Sequence, residues 1–140
     1  MTALGLVLLL AGGPSPEVRM EFPGGSVLVP AGCVGPDLSD AHPGAWLGTI
    51  TCRPGPSIVV FGSPKGTNAC AQSATAARHH TQLRSGTGHN LEICAIDRKV
   101  GGKGTVLREM VIGIGSTGLR AEIREPADAA MLLFVASTFE

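Results

Sequence analysis

Apolar and polar residues alternate along much of this chain, and the alternation predicts strands. The pattern is cleanest over LRAEIRE (residues 119–125), where side chains alternate as in a strand with one face in water. β-Branched residues and turn signals indicate further strands, which are SVLVP, AWLGTITC, SIVVFGS, LEICAIDRK and TVLREMVIGI. An RPGP turn joins AWLGTITC to SIVVFGS and predicts an antiparallel hairpin.

Two segments have the composition of helices instead. Residues 67–84 (TNACAQSATAARHHTQLR) are rich in alanine, and Asn68 can cap a helix that we expect over residues 68–84. We expect a second helix over residues 126–138, because Pro126 suits the first helical position and Asp128 suits the first turn. Its apolar residues share one face, which predicts packing on the sheet.

Together these elements predict the fold class α+β. We expect residues 16–140 to form a single α+β domain, with an antiparallel sheet of about five or six strands packed by two helices in a two-layer sandwich. The segment VGPDLSDAHPG (residues 34–44) is expected to be a loop, because its prolines, glycines and aspartates disfavour regular structure.

Gly113, Gly115 and Gly118 have the G-x-G-x-x-G spacing of a dinucleotide-binding turn. That turn requires a helix after its last glycine, whereas residues 119–125 alternate like a strand and reach Pro126. The spacing therefore predicts a β-hairpin around residues 115–118, and we expect no bound nucleotide.

The element order resembles that of the PsbP-like group of small α/β sandwich domains, which are common among exported bacterial proteins and occur in the photosynthetic lumen. The resemblance rests on a strand entering VPAG (residues 29–32) and a strand leading through REPADAA (residues 124–130) into the last helix. It covers most of residues 19–140. It implies a fold and supplies no functional residue.

The N-terminal sequence resembles an export signal. An uncharged apolar run from Ala3 to Ala11 is followed by small residues and a Pro-Ser-Pro break, so we expect residues 1–15 to be removed. The run is shorter than the roughly 20 residues of a membrane-spanning helix, so we expect no stable membrane span. A secreted or periplasmic protein is favoured; a buried N-terminal strand or helix in a cytosolic protein is the alternative.

Four cysteines, Cys33, Cys52, Cys70 and Cys94, form an even set without a C-x-x-C pair. This pattern favours two disulfides in an oxidising compartment over a zinc or redox centre, with buried free thiols as the alternative. From the expected strand order, we predict that Cys33 pairs with Cys70 and Cys52 with Cys94.

Composition narrows the classes of partner. The net charge is zero and 16% of residues are charged, so we expect no basic face of the kind that binds nucleic acid. No serine elbow or paired carboxylates are evident, so a non-catalytic protein is favoured over an enzyme. We expect a monomer without a cofactor, whose partner is a protein or a cell-envelope component.

Candidate site residues fall into two groups. Trp46, with His42 and Asp40 in the preceding segment, is the candidate binding surface. His80 and His89 are the candidate metal ligands, and His79 or His42 could take part. The favoured function is an exported, disulfide-stabilised, non-catalytic binding or accessory domain; the alternative is a small extracytoplasmic enzyme or metal-dependent protein that uses these histidines.

Overall fold

The computed structural model describes residues 17–42, 45–63, 77–100 and 105–140, and over these residues the chain is mostly β. β1 (Glu17–Phe22) and β2 (Gly25–Pro30) form a two-stranded hairpin, and the other strands form a seven-stranded antiparallel sheet. The order in that sheet is β3-β4-β5-β9-β8-β7-β6. Its strands are β3 (Cys33–His42), β4 (Ala45–Cys52), β5 (Ser57–Gly62), β6 (Ala77–Arg84), β7 (Asn90–Val100), β8 (Thr105–Ile114) and β9 (Thr117–Ile123). The helix α1 (Pro126–Ser137) follows β9.

The main core lies between one face of the sheet, here called the helix face, and a layer formed by α1 and the β1–β2 hairpin. Leu132 and Val135 of α1 are fully buried against apolar side chains of the sheet, and Val27 and Val29 of β2 belong to the same cluster. The opposite face carries a smaller buried cluster of Cys94, Ile96 and Val111, against which Phe61 packs. Burial on both faces explains why the central strands contain nearly continuous apolar runs.

The predicted fold class is wrong. The described residues form nine strands in a two-stranded and a seven-stranded antiparallel sheet with one helix, instead of five or six strands packed by two helices. Residues 77–84 of the expected helix are the strand β6, which pairs with β7 along its whole length. Helix propensity is a weak preference that pairing with a neighbouring strand overrides. The other residues of that predicted helix lie outside the described part of the chain.

The expected loop over residues 34–44 is also wrong, because most of it belongs to β3. Pairing between β3 and β4 shifts register between Val34 and Asp37 and again between Ser39 and His42. A β-bulge places an extra, unpaired residue in one of two paired strands, so the strand continues past it. Proline is tolerated on an edge strand. Turn-forming residues in this segment therefore interrupt the strand without abolishing it.

Two local predictions are confirmed. The glycine-rich segment is a β8–β9 hairpin in which Ile114 pairs with Thr117, and Gly115 has a positive φ of 61° that favours glycine. The second predicted helix is present as α1, with Pro126 in its first turn. Asp128 accepts hydrogen bonds from the backbone N–H groups of Arg124 and Glu125, which satisfies donors at the helix start.

The predicted disulfide pairing is wrong. Cys33 and Cys52 form a disulfide and lie directly opposite each other in β3 and β4, with their Cα atoms 3.9 Å apart. The pairing was predicted wrongly because the residues after Cys33 were expected to form a loop. Without a strand there, the sequence offers no reason to place Cys33 opposite Cys52. Cys94 is also disulfide-bonded, with a partner outside the described residues.

Candidate functional site: an exposed sheet edge

The seven-stranded sheet ends in two edge strands of different character. At one end β3 is interrupted by two register shifts and contains Pro36. At the other end β6 pairs residue by residue with β7, from Ala77 opposite Asp97 to Arg84 opposite Asn90, without a shift. The β6 edge therefore presents a regular strand of eight residues without proline, glycine or bulge.

Side chains 79–84 of β6 are all exposed, and the register with β7 assigns each to a face of the sheet. His80 lies opposite Cys94, so His80, Gln82 and Arg84 lie on the face opposite α1. Thr81 and Leu83 lie on the helix face, opposite Ile93 and Leu91 respectively. Leu83 is one of the exposed large apolar side chains, although the leucine that it faces is buried.

Two polar side chains of β6 contact side chains of β7. Arg84 donates a hydrogen bond of 3.2 Å from a guanidinium nitrogen to Oδ1 of Asn90. Nε2 of His80 lies 3.7 Å from Oε1 of Glu92. Both contacts are at the surface, where such pairs contribute little to stability. Within the described ranges, no further strand pairs with the outward side of β6.

The β6–β7 turn is fastened to the end of the chain by a series of hydrogen bonds. The backbone N–H of His89 donates to Oγ of Ser85 at 3.1 Å, and the two hydroxyls of Ser85 and Thr87 are 2.8 Å apart. The Thr87 hydroxyl donates to the carbonyl oxygen of Phe139 at 3.0 Å. The His89 ring also packs edge-on against Phe139. These contacts connect the β6 end to the main core and fix its position.

A groove of about 490 Å³ lies on the helix face, beside the start of α1. Its apolar part includes Met110 and Ile123, and at its end Arg108 donates two hydrogen bonds to the Asp97 carboxylate, at 2.6 and 2.9 Å. The Arg108 hydrogen bond holds the pKa of Asp97 below its ordinary value; burial opposes this, while the charges of Arg108 and His79 add to it. The described lining residues include no nucleophile or histidine.

Of the sequence-predicted binding residues, Trp46 does not lie on an open surface. Trp46 is buried in the main core, where its ring stacks on Phe22 with centroids 5.3 Å apart. Its described contacts are those of a core residue and offer no exposed ring for an anchor. Asp40 and His42 are residues of β3, and the structure describes their backbone but not their side chains.

The candidate metal ligands are also apart. His80 lies on the face opposite α1 beside Glu92, whereas His89 packs against Phe139 of the main core. His79 lies on the other face of β6 from His80. In the ranges that the structure describes, no group of three or more histidine, cysteine, aspartate or glutamate residues is arranged to hold a metal ion.

Sequence reasoning missed both the β6 edge and the Asp97–Arg108 pair. The two residues of the pair are eleven positions apart and meet only through the β7–β8 register.

No helix among the described residues is long and apolar enough to cross a membrane. The chain matches no protein-family model, curated protein or solved structure, and the resemblance to PsbP-like domains stays a prediction.

Proposed function

We propose that this protein is an exported, disulfide-stabilised, non-catalytic binding domain that captures an extended segment of a protein partner along the β6 edge. The observation that carries the proposal is the eight-residue register of β6 with β7, unbroken at the edge of the sheet. An edge strand presents unpaired backbone N–H and C=O groups on its outer side, and another chain can pair with them.

The regularity of β6 supports a binding role because soluble proteins normally protect such edges. The usual devices are proline, bulges, short strands and charged side chains, especially lysine. The other end of the sheet has two of them, since β3 contains Pro36 and two register shifts. β6 contains no proline, register shift or lysine. On its helix face Thr81 and Leu83 are uncharged, and His79 lies on the same face. Among the described residues the sheet has one regular edge and one irregular edge, and a regular edge is what strand addition requires.

The fixed position of the strand also supports capture. Binding costs less free energy when the accepting surface is already ordered. Hydrogen bonds from His89 through Ser85 and Thr87 to Phe139 hold the β6–β7 turn against the core. The partner segment would therefore bear most of the ordering cost.

The proposed location outside the cytoplasm rests on the apolar N-terminal sequence and on the cysteines. The Cys33–Cys52 disulfide is consistent with an oxidising compartment. In such a compartment the partner would be another exported protein or a protein of the cell envelope.

Site-specific photo-crosslinking in the native host tests the proposal. A photoreactive side chain at Gln82, which is exposed on β6, should give a covalent adduct with a partner protein. The same group at Val34, exposed on β3, is the matched control and should give none. Adducts from Val34 and none from Gln82 would contradict the proposal.

A further inference from the structure

We infer that the segment captured by β6 is an acidic strand, with carboxylates at alternate positions on one face and small or apolar side chains on the other. The inference rests on the proposed function and deepens it by naming the chemistry of the partner. Its basis is the charge and the face assignment of the β6 residues.

The charge on β6 has one sign. The strand sequence ARHHTQLR contains two arginines and two histidines and no acidic residue. Arg84 and His80 lie on the face opposite α1, with Gln82 between them. Directly opposed side chains on neighbouring strands interact, and opposite charges there are favourable. An added strand therefore gains most when its residues facing Arg84 and His80 are acidic.

The acids already near β6 leave this charge available. Glu92 is the described carboxylate beside His80, at 3.7 Å, and its side chain is partly exposed. Arg84 is bonded to the neutral amide of Asn90, so its charge is not neutralised by that contact. Asp97 is held by Arg108 through two hydrogen bonds. Arg84 is therefore the main attraction for a partner carboxylate.

The other face of β6 selects a different kind of side chain. Thr81 and Leu83 lie there, and Leu83 continues the apolar surface that begins at buried Leu91. A partner residue opposite Leu83 would bury apolar area if it were valine or a similar side chain. The recognised pattern is thus an acid and an apolar or β-branched residue in strict alternation.

A second copy of this chain is a poorer occupant of the edge. Pairing β6 with β6 would bring two strands of the same basic character together, and like charges directly opposite each other are unfavourable. An acidic strand has no such cost. The inference therefore commits to a different protein as the source of the segment.

Binding of synthetic peptides to the mature protein tests the inference. The probe is a blocked peptide of about eight residues, the length of a typical strand, in which glutamate and valine alternate. A lysine and valine peptide of the same pattern is the charge control. A peptide with the glutamates in one block and the valines in another is the pattern control. Fluorescence anisotropy of labelled peptides reports the Kd of each.

We expect the alternating glutamate peptide to bind about tenfold more tightly than either control, the effect of roughly two favourable cross-strand pairs. Arg84→Glu should weaken its binding about fivefold, and Arg84→Gln should have an intermediate effect. Glu92→Gln should strengthen binding about twofold. Arg53→Glu makes the same charge change on an exposed side chain beside β5, which three strands separate from β6, and should leave the Kd unchanged.

The possible failures are distinguishable. If the lysine peptide binds as well as the glutamate peptide and Arg84→Glu has no effect, the acidic inference is wrong and capture by β6 stands. If no peptide binds, both the inference and strand capture are wrong. A dimer in solution that the Leu83→Lys substitution dissociates would overturn the inference by showing that a second copy occupies the edge.

Discussion

The two ends of the seven-stranded sheet differ in how they are protected. The β3 end is irregular: it contains Pro36 and two register shifts, and a disulfide joins it to β4 at Cys33. The β6 end is regular and exposed; it pairs with β7 over eight residues, and the β6–β7 turn is hydrogen-bonded to Phe139. Proline and bulges are two ways in which natural sheets protect an edge, and this sheet has both at the β3 end. The difference supports the proposal that the β6 edge receives a strand from a partner.

The largest expected effect comes from removing the disulfide at the β3 end. We expect the double variant Cys33→Ser and Cys52→Ser to lose about 3 kcal/mol in free energy of unfolding, because the cross-link closes a loop of moderate length in the unfolded chain. Denaturant unfolding followed by circular dichroism measures the loss. Capture at β6 should persist under native conditions, and its disappearance in the folded variant would show that the two ends are not independent.

Protecting the β6 edge should weaken capture with little effect on the fold. Leu83→Lys places a charge on the helix face of the edge strand, a device that natural edges use, and the half-exposed position lets the ammonium reach water. We expect the affinity for the partner segment to fall about tenfold, equivalent to roughly 1.4 kcal/mol. Val18→Lys, at an exposed position on β1, is the matched control. Equal losses in both variants would contradict a specific role for β6.

Loosening the β6–β7 turn should affect one end of the sheet only. Thr87→Val removes the hydroxyl that donates to the Phe139 carbonyl oxygen and contacts the Ser85 hydroxyl, and the loss in free energy of unfolding should be on the order of 1 kcal/mol. Amide exchange should accelerate in the β6–β7 hairpin and stay unchanged in β3 and β4. Faster exchange throughout the sheet would mean that the turn supports the whole fold.

The smallest expected effect is a pH dependence from the Asp97–Arg108 pair, which joins β7 to β8. Because the pKa of Asp97 is lowered in the folded state, its contribution to stability is complete above the unfolded pKa of about 3.9. That contribution is lost as the pH falls through the lower folded value. Asp97→Asn should therefore flatten the decline in stability below about pH 4. An unchanged acid profile would show that the pair is too exposed to matter.

The helix α1 and the β8–β9 turn were predicted correctly, because short sequence signals determine where each of them lies. Pro126 and Asp128 mark the start of α1, and Gly115 marks the β8–β9 turn. Each signal reflects a backbone or capping requirement that is satisfied within a few residues, so neither needs knowledge of distant partners.

The elements that were missed depend on pairing between distant residues. Residues 77–84 resemble a helix because arginine, glutamine and alanine are good helix formers, and only the register with β7 shows that they form a strand. Both faces of this edge strand are exposed, so its sequence lacks the alternation that identifies buried strands. The candidate site was missed for the same reason. The segment 34–44 was misassigned because its turn-forming residues sit at bulges of an edge strand.

Hydrogen exchange of the β6 amides, with and without the alternating glutamate and valine peptide, tests strand capture most directly. On a strand at a sheet edge, alternate N–H groups point away from the neighbouring strand, so an added strand protects every second amide. We predict that saturating peptide slows exchange at alternate residues of β6 by about tenfold or more, while β3 exchanges at its original rate. Bound peptide with unchanged exchange along β6, or with protection at β3 instead, would contradict the account.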